Sequence, residues 1–187
     1  ENGIIYELNE NDLSASVVRM TQDVKNIFIT CFIEFGDKKY LITTVERYAI
    51  SSRIDANVKF AEDSEVKIFK TFSFRGFINN IQIPTSLVNI KPNSFDIKYS
   101  NNASISVSKD NHTFSTSEDN HYPFGKIQNN LDYFDTLIYI TPSVYEADIP
   151  SNIKIIKSYA LSKCDIVNIP KDSQLETIEE FQSNRIS

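Results

Sequence analysis

At 187 residues and a net charge of −6, the chain has no basic stripe with which to neutralise phosphates, which excludes nucleic-acid binding as its main task. Its 41% hydrophobic and 24% charged residues are ordinary for a soluble folded protein and supply enough apolar material for a core. No run approaches the roughly 20 apolar residues of a membrane-spanning helix, and no Lys/Arg-rich amphipathic helix is present to lie on a bilayer. The sequence opens on Glu1 rather than Met, so signal and anchor segments are not legible in it.

Residues 1–26 predict two short strands, Ile4 to Leu8 and Ala15 to Met20, joined by the polar turn Asn9 to Asp12. Such a hairpin suits the open end of a stacked array. Ile27 to Phe35 is a strongly apolar, β-branched and aromatic run that favours strand, with a turn at Gly36-Asp37 and a return strand from Lys38 to Thr43.

From residue 42 a repeat takes over. Its six positions hold an apolar residue, two polar ones, a ring or polar residue, a small residue and an apolar one. They read Val45-Glu-Arg-Tyr48-Ala49-Ile50, Phe69-Lys-Thr-Phe72-Ser73-Phe74, Ile90-Lys-Pro-Asn93-Ser94-Phe95 and Ile156-Lys-Ser-Tyr159-Ala160-Leu161, and more loosely Ile178-Glu-Glu-Phe181-Gln182-Ser183. The starts lie 24, 21, 66 and 22 residues apart, and the long interval is three periods of the last. An apolar residue stands three before each start, at Ile42, Val66, Leu87, Ile153 and Leu175. Most units also carry an alternating triplet: Val58-Lys59-Phe60, Ile81-Gln82-Ile83, Ile105-Ser106-Val107, Ala147-Asp148-Ile149 and Val167-Asn168-Ile169. Period-two alternation turns the outer pair inward and the middle residue outward. Prolines at 84, 150 and 170 end three of these strands. A unit this short cannot bury its own apolar stripe, so it must stack on its neighbours in a parallel-stranded solenoid. The small Ala or Ser of each motif predicts a tight turn where coils touch.

Residues 109–146 break the rhythm with a polar, Asn-, Asp- and Ser-rich stretch. It predicts an inserted hairpin, one side at His121 to Ile127 and the other at Thr136 to Ile140, after which the array resumes at Ala147.

Laid out in this way, the sequence resembles the BspA-like leucine-rich repeat family. SNIKIIKSYALSKCDIVNIP (151–170) carries the likeness, supported by SEVKIFKTFSFRGFINNIQIP (64–84), SQLETIEEF (173–181) and the opening ENGIIYELNENDLSASVV. Phe69, Phe74 and Asn93 depart from the family pattern, and the last unit stops before its strand. The resemblance implies a β-dominated leucine-rich repeat solenoid with short helical turns, parallel strands in a right-handed superhelix and an N-terminal β-hairpin cap. It divides the chain into a cap over 1–41 and an array over 42–187 forming one continuous domain. It also implies a cell-surface or secreted protein of anaerobic parasites or commensal bacteria, used in adhesion or other protein contact.

Little in the chain points to catalysis. Four glycines leave scant material for a phosphate cradle, and no nucleophile elbow or zinc-protease motif occurs. His112 and His121 lie in the polar insertion without the spacing of a metal site and are expected to be solvent-exposed. The acidic groups at 62–65 and 176–180 occupy the same slot of successive repeats and predict a solvated edge. Cys31 and Cys164 are expected to be buried, reduced thiols. No enzyme activity, cofactor or metal is therefore expected. The expected partner surface is the outward row Lys59, Gln82, Ser106, Asp148 and Asn168, where a protein or other macromolecule would dock. A spacer role in a longer surface protein is the alternative. The sequons at Asn102 and Asn111 would accept N-glycans on a eukaryotic secretory route. The uncovered last repeat, with Ile178 and Phe181, predicts some self-association.

Overall fold

The computed structural model of the protein describes residues 3–98, 102–126 and 133–180. Alternating residues at the start form the expected hairpin. β1 (Ile4–Asn9) and β2 (Ser14–Met20) pair antiparallel. In the turn between them the Asn9 and Asp12 side chains accept the backbone N–H groups of Asn11 and Ser14. The apolar run that follows is two strands rather than one. β3 (Asn26–Ile29) and β4 (Phe32–Phe35) part at Thr30-Cys31, and β4 folds back through Gly36, at φ 61°, onto β5 (Lys38–Val45).

From β2, earlier than the motif at residue 42 predicts, the chain coils, laying down one segment on each of two faces in turn. β6 (Ile50–Phe60) is followed by β7 (Ile68–Phe69), β8 (Phe74–Ile83), β9 (Asn89–Ile90), β10 (Phe95–Ile97) and β11 (Ser104–Val107). One sheet has the order β1-β2-β5-β7-β9; the other runs β3-β6-β8, with β10 and β11 both pairing β8. All pairs are parallel except β1 with β2 and β4 with β5. The later coils contain β12 (Ser115–Thr116), β13 (Pro123–Gly125), β14 (Thr136–Leu137), β15 (Glu146–Asp148), β16 (Ile155–Ile156), β17 (Ile166–Asn168) and β18 (Thr177–Ile178). The inserted hairpin is β13 against β14, with Phe124 opposite Leu137; Ile127 lies outside the described residues. The array resumes earlier than Ala147, because β14 already pairs in parallel with β16 and sets Leu137 opposite Ile156. The whole is a β-solenoid of about six turns.

The helical turns expected at the motifs are β-turns, and the described residues contain no helix. In each motif the small residue donates its N–H to the carbonyl three residues back: Ala49 to Glu46, Ser73 to Lys70, Ser94 to Lys91 and Ala160 to Lys157, at 3.0 to 3.2 Å. The residue before it is left-handed, with φ of 61° at Tyr48, 58° at Phe72, 55° at Asn93 and 66° at Tyr159. Positive φ at the third turn position closes a tight turn and prevents a right-handed helix from continuing. The small residues are fully buried, and at Ala49 and Ser73 the next turn lies against them. Tyr48 N–H donates to the Phe72 carbonyl at 2.9 Å, and Phe72 N–H to the Asn93 carbonyl at 2.7 Å. Phe181 of the last motif lies outside the described residues.

A second corner closes the other end of each coil. Leu87 N–H donates to Pro84 O, Ile153 to Pro150 O and Ser173 to Pro170 O, so the prolines that end strands also open turns. Between the corners lies the core. Ile42, Val66, Leu87 and Ile153 are buried as the motif spacing requires. The rings of Phe60, Phe69, Phe74, Phe95 and Tyr139 follow one another from coil to coil, successive centroids 4.7 to 5.7 Å apart. Each such burial contributes about 2–3 kcal/mol, so Phe69 and Phe74, departures from the family pattern, sit at the centre of the packing.

Gly76 shows how closely the coils approach. It sits at φ 92° in β8, and a Cβ there would fall 2.1 Å from the Ser52 carbonyl oxygen, where β6 bulges between Ser52 and Ala56. Gly76→Ala is expected to destabilise the fold by about 3 kcal/mol, read as a lowered urea midpoint; an unchanged midpoint would show that the contact relaxes without cost.

Candidate functional surfaces

The alternation of β3, β6, β8 and β11 turns every second residue outward. Phe28 stands opposite Lys59 and Gln82 opposite Ser106, and the pairing of Val58 with Ile81 sets Lys59 beside Gln82. Three of the five residues expected to form the outward row therefore lie together, joined by Phe28, whose ring is exposed. The adjacent row is polar and bonded across strands: Asn57 Nδ2 donates to Asn26 Oδ1 at 3.4 Å and Asn80 Nδ2 to Ser104 Oγ at 2.8 Å. Asp148 and Asn168 belong instead to the separate β15–β17 pair, where Asn168 Nδ2 donates to Asp148 Oδ1 at 2.9 Å and to Glu146 Oε1 at 2.8 Å.

The insertion causes this split. Ile105 N–H donates to the Asn120 carbonyl and Thr141 N–H to the His121 carbonyl, so the inserted chain takes the places beside β11 that the next coil would hold. His121 is half-buried rather than solvent-exposed as expected. Its Nδ1 lies 2.9 Å from Thr141 Oγ1 and 3.1 Å from both Ser143 Oγ and the Ala103 carbonyl. His112 is exposed. Cys31 is buried, whereas Cys164 is half-exposed, its thiol directed at the Ile166 carbonyl 3.0 Å away; burial pushes both thiols above their ordinary range. Neither forms a disulfide. Glu62 and Asp63 are exposed as expected of a solvated edge, but Glu179 is not, since it pairs with Lys157 and accepts the N–H and hydroxyl of Ser158. Partial burial raises its carboxyl, and the bonds from Lys157 and Ser158 outweigh that and hold it below the usual carboxylate range.

The two sequons differ. Asn102 is exposed. Asn111 is 5% exposed and fully engaged at the second corner. Its Nδ2 donates to the carbonyls of Pro84 at 2.8 Å and Leu87 at 3.1 Å, and its Oδ1 accepts the N–H groups of Thr113 and Phe114, both at 2.8 Å. A glycan on that nitrogen is incompatible with this packing.

The motif corner carries a cluster that residue spacing does not announce. Tyr48 and Phe72 stack with centroids 5.5 Å apart and planes 19° apart. The Arg47 guanidinium lies over both rings, at 4.8 and 5.3 Å, and Arg75 over Tyr48 at 5.6 Å. Arg75 reaches Asp96 at 3.3 Å, and Asp96 reaches Lys163 at 3.2 Å. Beyond Asn93 the ladder of turns breaks, and a cavity of about 180 Å3 opens, lined by Lys91, Asn93, Phe95, Tyr139, Lys157 and Tyr159 among others. Tyr139, buried beneath it, has its hydroxyl pushed above the ordinary tyrosine range by burial. The i to i+3 turn residues were visible in sequence; their stacking was not, because it depends on the left-handed backbone.

No protein-family model and no curated protein matches the chain. Solved structures offer weak likenesses. The chain is 16% identical to the pneumococcal vaccine antigen PcpA over 98% of this chain and 70% of that one, with a TM-score of 0.37. A leucine-rich cell surface protein from Faecalibacterium prausnitzii is 13% identical over 97% and 76%, with a TM-score of 0.34. A leucine-rich repeat protein from Eubacterium ventriosum is 13% identical with a TM-score of 0.42, and the chain spans 95% of itself and 60% of that protein. The likeness is structural and faint; the solenoid stands on this chain's own ladders.

Asn111→Ala removes four hydrogen bonds and leaves the Pro84 and Leu87 carbonyls without that donor. A loss of about 2–3 kcal/mol is expected in urea denaturation, against less than about 0.5 kcal/mol for His112→Ala next to it. Equal midpoints for the two variants would contradict the assignment.

Proposed function

We propose that this chain is a non-catalytic interaction module of a surface or secreted protein, which attaches to host or neighbouring cells or matrix by docking a macromolecular partner. The observation that carries the proposal is the outward row Phe28, Lys59, Gln82 and Ser106. It joins an apolar ring, a cation, an amide and a hydroxyl, held at strand spacing on a rigid parallel ladder. The ladder holds the backbone of these residues in place, so a partner need not order the chain itself, and this makes a repeat surface suited to recognition. The resemblance of the repeats to surface leucine-rich repeat proteins supports the same assignment.

Because Gln82 and Asp148 lie on different sheets, they test the two sheets separately. Gln82→Arg and Asp148→Arg are each expected to weaken attachment to host-cell surfaces or matrix proteins by about tenfold, with unchanged denaturation midpoints. Attachment retained in both variants would refute a role for these faces, and no attachment by the unmodified chain would favour the spacer alternative. Removing residues 109–146 is no substitute for these variants, since it would strip Phe114, Leu137, Tyr139 and Ile140 from the core.

The last described coil adds a second property. Among the described residues β18 is the last strand of its sheet, with Ile178 exposed, and Ile166 and Ile169 are exposed on and beside β17. An edge of this kind pairs with another. Sedimentation is expected to show concentration-dependent association that Ile178→Lys reduces; a monomer at all concentrations would contradict it.

A further inference from the structure

We propose that the corner ridge from Arg47 to Tyr159 docks an acidic polypeptide segment bearing an aromatic side chain, with that ring seated in the cavity between Asn93 and Tyr159. The proposal rests on the interaction-module reading and adds a surface distinct from the outward row of the sheets.

Size sets the first term. A cavity of about 150 Å3 lined by apolar side chains takes a benzene ring, and this one, of about 180 Å3, is floored by Ile90, Phe95, Ile138 and Tyr139. Its rim is polar, with Lys91, Asn93 and Lys157 among the lining residues. The site exists because the stack is interrupted. Tyr48 and Phe72 each pass an N–H to the next turn, but the turn at Asn93 is followed by the inserted chain, and the next motif corner, at Tyr159, stands across the gap.

Charge sets the second. In a chain of net charge −6, this corner gathers Arg47, Lys70, Arg75, Lys91 and Lys157. The carboxylates beside them are largely committed, Asp96 to Arg75 and Lys163 and Glu179 to Lys157; Glu46 remains within the first turn. Arg47 and Lys91 make no ion pair among the described residues. Lys91 at the lip of a ring-sized cavity, with Arg47 two turns along the same corner, complements a segment with carboxylates around an aromatic residue.

The backbone supplies the third. A left-handed residue other than glycine costs about 1–2 kcal/mol, yet the corners hold Tyr48, Phe72 and Tyr159 rather than glycine. The rings are kept there despite that cost, and Arg and Tyr are the residue types that dominate binding energy at interfaces. An anionic polysaccharide would satisfy the cations but has no aromatic group for the cavity, so the polypeptide is the better fit.

The test is fluorescence anisotropy with the whole chain and a short dye-labelled peptide of glutamates and glycines around one central phenylalanine. Saturable binding is expected that weakens with added salt, and weakens about tenfold when the peptide's phenylalanine becomes alanine. The double variant Arg47→Glu, Lys91→Glu changes two exposed side chains and should bind about tenfold more weakly while still unfolding in one cooperative transition, its midpoint lowered slightly by loss of the Arg47 contacts with Tyr48 and Phe72. Equal binding of the two peptides, or of the double variant, would overturn the proposal, as would binding of a sulfated polysaccharide without the peptide. The peptide comparison needs no altered protein, so a variant that fails to fold leaves it decisive. A chain that attaches to cells but ignores both peptides would sink the corner proposal alone and leave the interaction-module reading intact.

Discussion

The close contact of one left-handed corner with the next is the constraint on which the rest of the molecule depends. A coil of this length has no interior of its own, so its apolar residues are buried only if the adjacent coil lies within strand spacing along its whole path. At the corner this requires a residue small enough for backbones to touch, met by Ala49, Ser73, Ser94 and Ala160, all buried. It also requires a turn sharp enough to reverse the chain, met by the positive φ of the preceding residue. The corner itself is close to neutral in energy. A backbone hydrogen bond contributes about 1 kcal/mol, and the left-handed residue costs about as much. The surplus comes from what the corner permits, the file of Phe60, Phe69, Phe74, Phe95 and Tyr139 through the centre.

Much of this was legible in the sequence, because period-two triplets and the apolar residue three before each motif are direct images of burial. Val58 and Phe60 point inward and Lys59 outward, and the same holds for Ile81, Gln82 and Ile83. The conformation of the motif was not legible. An apolar residue, a ring three on and a small residue four on also suit a turn of helix, and bulky residues seldom adopt positive φ. The coil at β14 was hidden for a related reason: Leu137 is followed at the ring position by Ile140, and the spacing to the next motif is shorter than the period. Periodicity finds units that keep the period, and this one does not.

Polar residues of the insertion were misjudged in one direction. The sequon at Asn111 predicts a modified side chain and the lack of metal-site spacing at His121 an exposed one, yet both are tied into the stack. An insertion leaves the last regular coil with backbone groups that no succeeding strand will pair, and these must find partners. Asn111 supplies donors to two carbonyls of the preceding corner and acceptors to two N–H groups of its own turn, the full capacity of an amide. His121, with Thr141 and Ser143, does similar service at Ala103. A polar stretch between repeats is thus a place where buried polar side chains are needed, and composition alone cannot distinguish those from solvated ones.

The same interruption bears on where recognition falls. On the sheet faces many outward polar groups already satisfy one another, as Asn80 does Ser104 and Asn168 does Asp148. A partner there must match or displace bonds that exist. Along the motif corner Tyr48 and Phe72 are stacked in advance and Arg47 lies across them, so little side-chain freedom remains to be lost, while the Arg47 charge has no carboxylate among the described residues. An array that continued without interruption would cover Asn93 with another turn and close the cavity. The break that divides the outward row between two sheets is therefore also what gives the corner a recess, and a stack of near-identical coils acquires one position unlike the others.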